Sequence, residues 1–168
     1  MGAYEILAAT ESSSLSEWIR GDLWAFPVVL VFHTIGLAFL VGANVAICAR
    51  ILGAAPGVPL ATLGRYALVA WIGFWLNAAS GVLLLIAYPA KALTNPLFYL
   101  KLVAIAVAVV LMQAIRRQMR SDASHERMAT TPHMKRLAVA SLACWAIGII
   151  AGRLLAYTHS RLMSTDIL

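Results

Sequence analysis

Acid is what this 168-residue chain most conspicuously lacks: between Asp22 and Asp122 there is no Asp or Glu. Charge is scarce throughout, at 12% against 62% hydrophobic residues, and mean hydropathy is +0.85. A soluble domain carries about 25% charged residues, so this composition excludes a soluble enzyme with a charged cleft and equally a disordered chain. Cysteine is scarce too. Cys48 and Cys144 stand in apolar stretches without CxxC or CxxCH spacing, which excludes a disulfide framework and a covalently attached c-type haem. Internal repeats, low-complexity segments and long linkers are missing as well, and residues 1–168 read as one domain. The net charge of +6 does not indicate a nucleic-acid partner, because in a membrane chain basic excess sets orientation and contact with anionic headgroups.

What is present is four apolar blocks, each near the ~20 residues needed to cross a bilayer. They run from about 23–49, 66–90, 96–115 and 137–157. The first two are closed by Arg50 and Lys91, and the third ends at Arg116-Arg117. Lys101 lies near the start of the third, where its long stem would snorkel to the interface. Asn95-Pro96 and Thr131-Pro132 each read as a helix N-cap followed by proline at the first helical position. Ser14-x-x-Glu17 reads as a capping box opening a short amphipathic segment within 1–22.

The first 22 residues hold Glu5, Glu11, Glu17 and Asp22 against one Arg, whereas the third loop holds Arg116, Arg117, Arg120, Arg127, Lys135 and Arg136. The positive-inside rule then puts loops one and three in the cytoplasm and both termini in the periplasm or exterior. The N-terminus lacks a basic region, so it does not read as a cleavable signal peptide. The expectation is an all-α, integral membrane four-helix bundle, up-down-up-down, in a bacterial cytoplasmic (inner) membrane.

Ionisable groups inside spans are costly and are functional candidates by default. Here they are His33 in the first span and Arg153 in the fourth, with His159 at the outer end of the fourth. Helical spacing puts His33, Leu37, Leu40 and Asn44 on one stripe. His33 has two readings, an interhelical hydrogen-bonding group or an axial haem ligand. The middle two spans hold no histidine, and His125 and His133 lie in the cytoplasmic loop, leaving His159 as the second ligand on the same side. Gly148 and Gly152 lie on its stripe and would admit a flat macrocycle. The same ridge, Ala140, Cys144, Gly148 and Gly152, also suits close helix packing.

His33 is 17 residues from Arg50, roughly 25 Å along a helix, and His159 is 23 from Arg136, roughly 35 Å. The two histidines are thus offset by roughly 9 Å unless a helix shifts or tilts. Arg153 falls near the depth of His33. With no acid in any span, it either meets an external anion such as a haem propionate or lipid phosphate, or snorkels to the surface.

His33-Thr-Ile-Gly36 followed by Gly42 and Arg50, Arg65-Tyr66 leading to Ser80-Gly81, and Asn95-Pro96-Leu-Phe98-Tyr-Leu-Lys101 resemble small bacterial membrane proteins of the cytochrome b and CopD-like superfamily. The resemblance covers roughly residues 23–117. It implies a bundle that holds haem b through histidines and passes electrons between a quinone and a partner protein, with His33 as the residue that carries over as a ligand. The chain departs from the usual cytochrome b pattern in having too few intramembrane histidines for two haems. It also lacks the Met-x-Met cluster a copper path would need.

Three functions follow. The first is a membrane subunit with one haem b, ligated by His33 and His159, with Arg153 neutralising propionate charge and Gly148, Gly152 and Asn44 lining the pocket. It would relay electrons between a periplasmic redox partner and membrane quinone rather than act as a stand-alone enzyme. The second is a cofactor-free structural or assembly subunit. The third is a small metal or solute transporter, against which the lack of intramembrane carboxylates counts.

Overall fold

The computed structural model describes residues 2–54, 56–121 and 131–162, and it is helical throughout, with no strand among them. Eight helices follow in order among the described residues: α1 (Ala3–Glu11), α2 (Ser14–Gly21), α3 (Ala25–Leu52), α4 (Leu60–Leu63), α5 (Tyr66–Ala87), α6 (Pro89–Leu93), α7 (Pro96–Ser121) and α8 (Pro132–Leu162). Four of them, α3, α5, α7 and α8, contain stretches long and apolar enough to span a membrane, which makes this a multi-pass membrane protein. Residues 122–130, including His125 and Arg127, lie outside the described residues.

The helix limits follow local chemistry. The Asp22 carboxylate accepts from the backbone N–H of Trp24 and Ala25 at 2.8 and 2.9 Å, so α3 starts at Ala25, two residues inside the apolar block. Pro27 falls in the first turn, where a missing N–H costs nothing. At the other end α3 outruns the apolar block to Leu52 and closes on Gly53 at φ +95, with Ala54 N–H bonding back to Ala49 O. Pro89 keeps Tyr88 out of the helical region, so α5 stops at Ala87, short of the end of its apolar block. The helices α7 and α8 extend beyond their apolar blocks because arginine and lysine end a span without ending a helix. Asn95 Oδ1 accepts from Leu97 N–H at 2.9 Å and Thr131 Oγ1 from Met134 N–H at 3.4 Å, the expected N-caps. The cap of α2 is Ser13 rather than Ser14, its hydroxyl accepting from Ser16 N–H at 3.3 Å.

Packing joins α3 to α5 and α7 to α8, and the two pairs meet where α3 lies on α8; α5 and α7 make no comparable contact. Ile47, Cys48 and Ile51 of α3 close one end of the core with Leu63, Ile115, Met134 and Ala138. Its middle is Leu40, Ala43, Ala70, Ala108, Met112 and Trp145, drawn from all four long helices. At the other end α2 caps the bundle: Ile19 is fully buried, and the buried Ser16 hydroxyl donates to Ala87 O at 3.3 Å.

Candidate functional site

The site begins with a glycine contact. A Cβ on Gly36 would lie 2.6 Å from Asn77 N and 2.9 Å from Gly73 O, and one on Gly73 would lie 2.7 Å from Gly36 O. Only hydrogen fits at these positions, so the α3 and α5 backbones nearly touch. This approach carries His33, one turn away on α3, into the polar segment of α5.

There the imidazole Nδ1 lies 3.1 Å from Asn77 O and 3.1 Å from Ser80 Oγ. A carbonyl oxygen only accepts, so Nδ1 carries the hydrogen in this contact. Ser80 spends its own hydroxyl hydrogen on Leu76 O at 2.6 Å and is free to accept as well. Asn77 Nδ2 donates to His33 O at 2.8 Å, so the two helices bond reciprocally. The ring rests on Gly81, where a Cβ would come within 3.3 Å of its Cε1. In the neutral ring Nε2 therefore holds the lone pair, and it has no hydrogen-bond partner among the described residues.

From the other helix pair comes Lys101 of α7. Instead of extending along its own helix to the interface, its side chain is half-buried and lies over Gly152 of α8. A Cβ on that glycine would meet Lys101 Cδ, Cε and Nζ at 3.5, 3.6 and 3.7 Å. Gly152 stands 11 residues past Ser141 on α8, as His33 stands 11 before Asn44 on the antiparallel α3, and Asn44 and Ser141 are bonded, so Lys101 lies at the level of His33. The ammonium has no hydrogen-bond or ion-pair partner among the described residues. Sequence reasoning missed Lys101 as a site residue, although it closes the third motif on which the resemblance rests.

The remaining candidates are distributed differently. Asn44 lies 11 residues along α3 from His33, roughly 16 Å, and is buried in a mutual hydrogen bond with Ser141 of α8 at 3.1 Å. Gly148 packs on Ile105 and Ala104 of α7, and Gly152 on Lys101, so both glycines face α7 rather than the α3–α5 pair. Arg153 is exposed. His159 falls in the last turn of α8, and its side chain lies outside the described residues. Trp145 lies seven residues below Gly152, roughly 10 Å, where it fills the centre of the bundle and floors the His33–Lys101 level. Its indole N–H is buried without an acceptor among the described residues.

No three His, Cys, Asp or Glu side chains converge among the described residues. What the site offers is one imidazole lone pair, one ammonium and glycine surfaces. Comparison with protein-family models, curated proteins and solved structures finds no match for this chain.

Proposed function

We propose that the chain is a b-type cytochrome subunit of a bacterial cytoplasmic membrane, relaying electrons between a periplasmic redox partner and membrane quinone. The observation that carries the reading is the state of His33. A haem-ligating histidine needs its second ring nitrogen held by a carbonyl or similar acceptor, which fixes the tautomer and aims the lone pair. Asn77 O and Ser80 Oγ supply that hold on Nδ1, leaving Nε2 for a metal. Haem b would supply a one-electron iron couple; the chain's own part is to ligate, to orient and, through the Trp145 layer, to exclude water. His159 is the proposed second ligand.

In the same reading the bundle is up-down-up-down with both termini outside. Two features support it. Contacts between α3 and α5 run in opposite senses along the chain, Leu40 and Gly36 meeting Gly73 and His33 meeting Gly81. The basic third loop supplies the cytoplasmic charge bias.

The test is a visible spectrum of detergent-purified protein, oxidised and then dithionite-reduced, with a pyridine haemochrome assay. A sharp reduced α-band at about one haem per chain is expected, lost in His33→Ala. A colourless protein made with ample haem, or an unchanged spectrum in His33→Ala, would overturn the reading. The colourless outcome would leave the structural-subunit reading, which the wide exposed faces of α5 favour.

A further inference from the structure

We infer that Lys101 is the anion-binding arm of the site: its ammonium receives a carboxylate of the molecule that His33 ligates. The inference deepens the haem reading and rests on it, and it moves the acid-binding role from Arg153 to Lys101.

The charge on Lys101 has no counterion in the spans. No Asp or Glu occurs between Asp22 and Asp122, nor anywhere in Pro132–Leu162, so no span can provide a counterion. Removing an ammonium from water without a partner is expensive, and an intramembrane lysine is expected to reach the surface or find an anion. Within this chain Lys101 meets no anion. Its terminal carbons and nitrogen lie across Gly152 on the neighbouring helix, at ordinary contact distance. It has no acceptor among the described residues, and the glycine it covers stands at the level of His33, each 11 residues along its helix from the Asn44–Ser141 bond.

Arg153, the adjacent cation, is exposed on the outside of the bundle rather than laid against a neighbouring helix. Lys101 and His33 belong to different helix pairs, so a ligand engaging both must lie across the junction of the pairs. One group recognises an electron-pair acceptor and the other an acid. A metalloporphyrin carries a metal and propionates on a single rigid molecule, and so answers both.

The experiment compares free-acid haem b with its dimethyl ester, in which the two carboxylates are masked, by Soret titration of the apoprotein in detergent. The wild type is expected to prefer the free acid on the order of tenfold to a hundredfold, the range of a charge-assisted hydrogen bond. Lys101→Met is expected to lose that preference while keeping the His33-dependent α-band. Lys101→Arg should retain it, and Arg153→Met should leave it unchanged.

Equal binding of acid and ester by the wild type overturns the inference and leaves the haem reading intact; no variant is needed for that comparison. A preference abolished by Arg153→Met but not by Lys101→Met returns the role to Arg153. If haem binds with a Lys101-dependent preference but survives His33→Ala, the ligand assignment fails and the anion arm stands. If the wild type takes neither porphyrin, both fall.

Discussion

Glycine at 36 and 73 does for the α3–α5 pair what leucine does for a soluble core. The Cβ of Gly36→Ala would lie 2.6 Å from the Asn77 backbone nitrogen, so two helices rather than one side chain must move. A loss of roughly 1–3 kcal/mol is expected, read as a lower melting temperature in detergent. Gly42→Ala, with nothing within 4 Å, should be silent. A second residue-level test concerns the buried amide. Asn44→Ala leaves Ser141 without its partner and should cost about 1–3 kcal/mol, with a favourable coupling energy in a double-mutant cycle with Ser141→Ala. His33 was legible as a candidate because histidine in a span is rare. Asn77 and Ser80 were legible as polar residues inside a span, but their pairing with His33 was not: they are uncharged and 44 and 47 residues away, and only the glycine crossing brings them to the ring. Lys101 was misread for a related reason. Next to the end of an apolar block a lysine looks interfacial, and the groove beside Gly152 that takes it sideways exists only after α8 has packed.

Helix ends depend on nearest neighbours, and most were readable for that reason. Asn95-Pro96 and Thr131-Pro132 start α7 and α8 as their residues dictate. Hydropathy, by contrast, measures where the lipid ends rather than where the helix ends, so apolar blocks underestimated α7 and α8 at their charged ends. The N-terminal segment holds two helices, α1 and α2, and the second is fastened by Ile19 and Ser16 and by Arg20 reaching Glu11. Ile19→Asp should release α2 from the end of α5, seen as faster proteolysis in the segment before Ala25 with the His33-dependent spectrum retained. An unchanged cleavage rate would show that α2 is held by something other than this contact.

At the scale of the whole molecule, only 17–28% of the most apolar stretch of each span is buried inside the chain. Leu68, Ile72 and Trp75 on α5, and Val103 and Val110 on α7, face outward. Such surface is stable only under lipid or a partner helix. The orientation proposed above makes a direct prediction. Alkaline phosphatase, which is active only outside the cytoplasm, should be active when fused after Leu162 and inactive when fused after Val58 in the first loop. The reverse pattern would invert the topology. The four spans were legible from composition alone; their pairing, with α3 between α5 and α8 and with α5 and α7 apart, was not, because all four blocks are apolar nearly all round and none declares a preferred neighbour.

The bond between Asn44 and Ser141 also has a place in time. Its two ends are 97 residues apart. At a synthesis rate of about 5–20 residues per second, Asn44 enters the bilayer about 5–20 s before its acceptor has been made. The α3–α5 hairpin can close at once on its glycines, because everything that contact needs is already in the membrane. The amide, however, must wait, hydrated or borrowed by another protein, until α8 arrives last. A ribosome that stalls while making residues 122–130 would therefore strand a hairpin that is packed yet holds an open polar socket.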